Sequence, residues 1–421
     1  MRTAAGLSAL PLPNLLRSTV VLHACASENL VRATSTVLSK AVAAQVDGQQ
    51  GGQTSPFARQ ILDAARATVF RHFAAGETLG DVRAVARRLQ MSGVRCIVDH
   101  STEEIEADDA RQANVDAKLA LLRTLSTELD GACAFIPVKM TGLIAPALLE
   151  KLTAAIPPDA AAPMELRDAA DAAGLSASDD AELTSAVGRM REVCRGAAEA
   201  DVRLLLDAEQ AHRQPAIRLL ARHLAAEFNT KEEPLVYDTH QAYLRGCRAR
   251  LEADLAHAKQ RGYTLAVKLV RGAYRTGETA RDRAVLQPSK AHTDAAYDDC
   301  AAMLLDEAIG AGAGASLLLA THNRPSAEKL ADALRVSGAP LDHPRVHFAQ
   351  ILGMADDLTL SLGLEGFNAY KLVPYGAFDE VLPWLLRRLE ENQDALGAAA
   401  AERPLLRSEL RGRAMRAVGL G

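Results

Sequence analysis

Aromatic side chains are scarce in this chain of 421 residues: they fill 4% of positions and include a single tryptophan. With alanine recurring throughout, that scarcity favours helices and argues against a β-sandwich or a base-stacking binder of single strands. Cysteine is sparse as well. Cys25, Cys96, Cys133, Cys194, Cys247 and Cys300 are scattered with no C-x-x-C among them, a spacing that fits no disulfide framework, zinc knuckle or iron–sulfur ligand set. They read as reduced, mostly buried thiols. No basic block offsets the net charge of −5, so nucleic acid is not expected as a partner. No run of 18 apolar residues occurs, and no transmembrane helix is expected. H-x-H and H-E-x-x-H are absent, and Asp99 and His100 are strand neighbours that point to opposite faces, so no metal site is predicted.

What is present suffices for a large core, since 48% of residues are hydrophobic and 24% charged. No acidic residue precedes Glu28, while Arg2, Arg17 and several Ser and Thr do. That suits the end of an organelle transit peptide. It equally suits a first helix carrying Leu15, Leu16, Val20 and Val21 at helical spacing. Residues 1–45 are expected to be helical, 46–56 to form a Gly/Gln-rich linker, and 57–395 to form the main domain. Within that domain 154–183 reads as an Ala/Pro-rich insertion, loosely helical at best, and 396–421 reads as a tail.

Eight short apolar runs alternate with helix-period segments, at 94–99, 132–139, 202–207, 235–239, 265–270, 316–320, 345–350 and 369–373. Helices are expected between them, among them 213–228, 294–309, 326–336 and 379–396. Near-continuous apolar strands joined by helices imply a parallel sheet covered on both faces, and eight of them imply a closed (β/α)8 barrel. An open doubly wound sheet is the alternative. The one glycine-rich candidate, residues 310–314, follows a helix and precedes a strand, the wrong order for a dinucleotide turn.

A barrel gathers its chemistry at the C-terminal ends of the strands. Asp99, Lys139, Asp207, Gln241 and Lys268 stand there, with the turn from Arg271 through Gly272 to Tyr274, then Thr321-His322-Asn323, Gln350 and Pro374-Tyr375-Gly376. Lys139, Asp207 and Lys268 are either ion pairs closing the barrel mouth or groups that bind a substrate, because burying them unpaired is costly. His322, flanked by hydroxyl and amide, is a candidate ligand contact. Arg387 or Arg388 with Glu391 makes either an exposed i,i+3 or i,i+4 pair or a guanidinium fork for a carboxylate. The residues themselves thus describe a small-molecule barrel enzyme with a cationic pocket for an anionic substrate.

VKLVRGAY (267–274), THN (321–323), GM (353–354), VPYG (373–376) and LLRRLEEN (385–392) together resemble the proline dehydrogenase family. VKMTGL (138–143), DAE (207–209) and QAY (241–243) fall in matching order, so the likeness spans about 90–395 and looks closest to the mitochondrial branch of eukaryotes. The resemblance implies an FAD enzyme that oxidises L-proline to Δ1-pyrroline-5-carboxylate and passes electrons to a membrane quinone. It would stand on the matrix side of the mitochondrial inner membrane, in peripheral contact and without a span. The likeness begins near Leu10, which leaves fewer residues than a full transit peptide.

By the same resemblance, Lys139, Arg387 and Arg388 hold the substrate carboxylate and Asp207 orients that cationic set. Tyr274 packs over the substrate ring, with Ile351 and Leu372 as pocket walls. Gln241, Lys268, Val270, Gly272, Thr321, His322, Asn323, Gln350, Arg388 and Glu391 contact FAD, and the last barrel helix lies over the mouth. Two positions depart from the family pattern. Leu372 stands where bacterial members carry a tyrosine, which opens the pocket to hydroxyproline. Lys268 replaces an arginine at a flavin contact, keeping the charge and losing the bidentate fork. Three other readings are a hydroxyproline dehydrogenase, a lyase or aldolase using Lys139 or Lys268 as a Schiff-base amine, and a non-catalytic binding protein.

Overall fold

A computed structural model describes residues 6–25, 27–49, 56–100, 105–129, 131–157, 163–312, 314–391 and 393–418. Five helices precede the first strand: α1 (Leu12–Cys25), α2 (Glu28–Gln49), α3 (Pro56–Ala65), the single turn α4 (Arg71–Phe73) and α5 (Leu79–Gln90). Strand and helix then alternate. The order is β1 (Val94–Asp99), α6 (Asp108–Glu128), β2 (Cys133–Val138), α7 (Pro146–Ala155), α8 (Leu166–Ala172), α9 (Ala177–Glu199) and β3 (Arg203–Leu206). Next come α10 (Gln214–Phe228), β4 (Val236–Gln241), α11 (Cys247–Arg261), β5 (Leu265–Val270), α12 (Arg275–Arg281), α13 (Lys290–Ile309) and β6 (Ala315–Ala320). The chain ends with α14 (Arg324–Ser337), β7 (Val346–Ile351), α15 (Asp356–Leu364), β8 (Ala369–Pro374), α16 (Phe378–Glu391) and α17 (Gln393–Ala417). The strands close into one barrel in the order β1 to β8. The pattern of apolar runs joined by helices therefore resolves as the (β/α)8 barrel and not as the open sheet.

The chain divides into two compact units. Residues 101–320 and 329–348 form one. Its strands β2 to β6 pair in parallel, each with the next, in registers such as Val138↔Leu206 and Lys268↔Leu318. Side chains fill the barrel interior there: Phe135 meets Tyr237 edge-on with ring centroids 5.3 Å apart, and the Tyr237 hydroxyl bonds Ser316 at 2.8 Å. Such filling makes the strands a packed support and leaves chemistry to the loops at their C-terminal ends.

Residues 1–100, 321–328 and 349–421 form the other unit. Its two strands, β1 and β8, pair from Val94↔Ala369 to Asp99↔Pro374. Around them lies an apolar cluster that includes Leu15, Phe70, Phe73, Phe378, Trp384 and Leu406, so the first and last helices share one core. A capping box starts α5: Thr78 Oγ1 accepts the Asp81 amide at 3.3 Å, and Asp81 Oδ2 accepts the Thr78 amide at 3.0 Å.

Three segments differ from the sequence-based expectation. The insertion is better ordered than its composition suggests, since Ser176 and Asp179 form a second capping box that opens the long α9. The linker is shorter, because α2 runs to Gln49 and α3 opens at Pro56; 50–55 lie outside the described residues. The supposed tail is helix α17. Glu402 reaches from it to the start of α15, accepting the Ala355 and Asp357 amides at 3.0 and 3.4 Å. Those amides would otherwise be orphans at a helix N-terminus, and a contact so distant in sequence leaves no local pattern.

Candidate active site

Lys139 ends β2 in an extended conformation and leads into the tight turn Met140–Gly142. Glu209 pins that turn, accepting the Thr141 amide at 3.1 Å and its hydroxyl at 2.8 Å. Burial pushes the Glu209 pKa upward, against the pull of the Thr141 bonds and of Lys139. The Glu209 carbonyl also accepts a long bond from Gln241 Nε2 at 3.4 Å, so one residue ties the ends of β2, β3 and β4 together. The sequence motif contained Glu209, but only Asp207 beside it was assigned a role.

Two residues before Glu209, Asp207 accepts a bond from Lys268 Nζ at 2.6 Å. Both side chains are mostly buried, 19% and 16% exposed. Lys268 shares a strand face with Val270, two residues on, because successive side chains of β5 alternate. The turn that follows is exacting. Gly272 has φ of +134°, and a Cβ there would lie 2.0 Å from the ring of buried Tyr243. Only glycine fits. Tyr274 then caps α12, which is anchored by buried Glu278 accepting the Ala211 amide at 2.7 Å. Glu278 is a second positioning carboxylate with no signature in the sequence.

The other unit carries the remaining candidates. The Gln350 amide is committed at both ends, donating to the Thr321 carbonyl at 3.0 Å and accepting from Thr359 Oγ1 at 2.8 Å. This places Gln350 as a brace beneath the 321–323 turn. His322 Nε2 accepts the Ile351 amide at 3.1 Å, which leaves the proton of the neutral ring on Nδ1. Asn323 Oδ1 accepts the Ser326 amide at 3.2 Å at the start of α14. Ile351 and Leu372 are half-buried against the apolar cluster that contains Trp384 and Leu385, and the Leu352 amide bonds the Leu372 carbonyl at 2.9 Å. Arg387, Arg388 and Glu391 occupy the last turns of α16; their side chains lie outside the described residues.

A titratable cluster apart from these lies on β4 and α11. Asp238, His240 and Asp254 bring ligating atoms within 4.8 Å of one another, a grouping that could hold a cation. Arg218 approaches Asp238 at 3.8 Å and Arg222 approaches Asp254 at 3.2 Å, and both neutralise the same carboxylates. Burial opposes ionisation of His240, yet interactions with Asp238 and Cys247 together outweigh it and leave the imidazole at about 9. With three cationic groups against two carboxylates, the charges of the cluster are offset within the protein, while Asp238 Oδ1, Asp254 Oδ2, Arg218 Nε and both His240 nitrogens make no hydrogen bond. Among the described residues, Cys96, Cys133, Cys194, Cys247 and Cys300 are buried free thiols, as expected.

The profile of the proline dehydrogenase family matches residues 82–400. The chain belongs to that family. It is accordingly an oxidoreductase. Hydroxyproline dehydrogenase of Rattus norvegicus is 34% identical over 82% of this chain and 81% of its own length. Proline dehydrogenase 2, mitochondrial, of Arabidopsis thaliana is 30% identical over 97% and 89%. Among solved structures, proline utilization A from Bdellovibrio bacteriovorus aligns with a TM-score of 0.69 at 20% identity, over 88% of this chain. The chain spans about two-fifths of that larger protein, 38% of its length, and the likeness there is one of fold.

Proposed function

We propose that the protein is an FAD-dependent dehydrogenase that oxidises L-proline to Δ1-pyrroline-5-carboxylate and delivers the electrons to a quinone. What carries the reading is the strand-end set that the family implies, held by partners fixed within the protein. Lys268 is set by Asp207, the Lys139 turn by Glu209, and His322 by the Ile351 amide. A cofactor with amide-like edges and a diphosphate suits the donors present. Gln241, Lys268, Thr321, His322 and Asn323 offer amide, ammonium, hydroxyl and imidazole groups, and Gly272 lets the turn after β5 pack directly on the Tyr243 ring. Val270, Gln350, Arg388 and Glu391 complete the set, with Gln350 acting through Thr321.

The bound flavin supplies the hydride acceptor, and everything else falls to the protein. Lys139, Arg387 and Arg388 hold the substrate carboxylate, so the ring presents one face. Asp207 offsets that positive charge and fixes Lys268. Tyr274, Ile351 and Leu372 enclose the ring and exclude water. Binding favours the neutral amine, whose lone pair forms the imine as hydride leaves the neighbouring carbon, and the remaining N–H proton passes to solvent. No side-chain base is needed for that balance.

Leu372 favours a second substrate. A half-buried leucine adds neither hydroxyl nor ring to the pocket wall, and relatives named hydroxyproline dehydrogenase are 34–35% identical over four-fifths of the chain. Hydroxyproline is therefore an alternative substrate at the same flavin. The mitochondrial reading, with the protein peripheral to the matrix face of the inner membrane, is supported by relatives named mitochondrial. Among the described residues no helix is long and apolar enough to cross a membrane. Helix α1 exposes Leu12, Leu16 and Val20 at one-turn intervals (48%, 50% and 66%), a stripe suited to shallow interfacial contact.

An anaerobic visible spectrum tests the reading. Flavin bands that bleach on adding L-proline establish cofactor and reaction, and a parallel titration with hydroxyproline ranks the substrates. A colourless protein that stays inert after added FAD overturns it and returns the Schiff-base lysines to consideration. N-propargylglycine, which inactivates the Bdellovibrio protein, provides a second test through time-dependent loss of activity.

A further inference from the structure

Away from the strand-end residues just assigned, a cavity of about 390 Å³ opens between α1, α4, α5 and the segment after β7. Five cationic side chains line it: Arg17, Arg66, Arg71, Arg88 and Lys371. Three carboxylates also face it, and each is engaged. Glu77 pairs with Arg66, Asp356 pairs with Lys371 at 2.7 Å, and Asp81 is held in the capping box of α5.

Arg17, Arg71 and Arg88 are left over. Among the described residues none of them has a carboxylate within ion-pair distance. Arg17 makes one long bond, to Asn14 Oδ1 at 3.4 Å, and its buried Nε has no partner. Its pKa is pushed below the ordinary guanidinium value, first by burial and then by the charges of Arg88 and Arg71; only Asp356 pulls the other way. Asp81 keeps its charge in the field of Arg71, and Asp356 lies in that of Arg88, so five cations face three carboxylates and leave an excess of two positive charges for an anion to offset. His72, buried in the wall, adds no charge at neutral pH, because desolvation lowers its pKa to about 4.

We propose that this cavity is a binding site for a small multivalent oxyanion, a molecule bearing a phosphate or several carboxylates. Guanidinium groups are suited to it, since each presents a planar fork of donors to two oxygens at once. The volume lies in the range of small-ligand pockets. Leu10, Phe70, Val85 and Leu360 supply an apolar wall for the rest of such a molecule. The site's test reads binding and melting, and so does not depend on turnover.

The test is calorimetric titration of the full-length, FAD-loaded protein with inorganic phosphate and with citrate, at constant ionic strength in chloride. Saturable binding of at least one anion is expected. Arg88→Gln and Arg71→Gln are expected to weaken it about tenfold, and Arg87→Gln, one residue from Arg88 on α5 and outside the cavity lining, should leave it unchanged. Tighter phosphate binding identifies a phosphorylated ligand, and tighter citrate binding a polycarboxylate. In chloride alone, Arg88→Gln should leave the Tm unchanged or raise it, because it removes one of three repelling charges. No saturable binding of either anion, or an affinity unaltered in both cavity variants, overturns the proposal. So does a Tm several degrees lower for Arg88→Gln in chloride, which would mean that the arginine already has its counter-charge.

Discussion

Lys268 Nζ sits 2.6 Å from Asp207 Oδ1, joining the middle of β5 to the residue that follows β3. Each charge is mostly removed from water, so each depends on the other. Asp207→Asn keeps the shape and removes the charge. It is expected to lower kcat/KM for L-proline by about a hundredfold, the scale of loss when a positioning contact fails. Lys268→Arg should retain most of the activity and Lys268→Met little. Steady-state kinetics of the three variants check this, and equal activity of Lys268→Met and wild type would sink it.

At the wall proposed for the substrate pocket, Leu372→Tyr should discriminate between substrates. Added bulk and a hydroxyl penalise the hydroxylated ring more than the plain one, by about 1–3 kcal/mol in transition-state binding. The ratio of kcat/KM for L-proline over hydroxyproline should rise about tenfold or more. An unchanged ratio would remove Leu372 from the substrate wall.

Gly272 permits no side chain. Gly272→Ala combines a φ of +134° with a methyl 2.0 Å from the Tyr243 ring. Strain and overpacking together should cost about 2–5 kcal/mol. The purified variant should carry less flavin per chain, read from the ratio of visible to ultraviolet absorbance, and melt earlier. Wild-type flavin content and Tm would show that the turn relaxes freely.

Glu402 gives a pH dependence of definite sign. Burial, with Asp356 and Asp357 nearby, raises its pKa from 4.5 to about 8. Between those values the folded protein holds a proton that the unfolded chain has released, so stability is lost as pH rises from about 4.5 towards 8. Glu402→Gln abolishes this contribution. Urea unfolding at pH 5.5 and 7.5 should show wild type losing stability relative to the variant at the higher pH. Parallel behaviour of the two proteins would refute the assignment.

The barrel was legible in the sequence because its strands are short, apolar and bounded by polar residues: the runs at 94–99 and 265–270 coincide with β1 and β5. Lys139, Asp207, Lys268 and His322 were legible for the converse reason, as polar groups where the apolar runs stop. Glu209, Glu278 and Glu402 were not. Each acts on backbone amides far away in the chain, at Thr141, Ala211 and Ala355, and a carboxylate that caps a distant turn looks locally like any surface acid. The two bonds of the Gln350 amide, to Thr321 and Thr359, were not legible either, because both partners lie outside its strand. Helix α17 escaped because its apolar residues follow no clear stripe and Pro404 interrupts its pattern.

The pairing of Val94 with Ala369 governs the order in which the barrel can assemble. From β2 to β6 each strand meets the next in sequence, across one helix at each step between β3 and β5, two between β5 and β6 and three between β2 and β3. Every loop to be closed there is far shorter than the span from β1 to β8. β1 and β8 enclose nearly the whole barrel sequence between them. Closing that loop costs the most chain entropy and is rewarded only when the intervening strands already lie side by side. The seam is therefore the last part to form and the first to open during synthesis or heating. Leu372 and the segment leading to α16 stand on its β8 side, so the wall proposed for the substrate is among the last parts of the fold to settle.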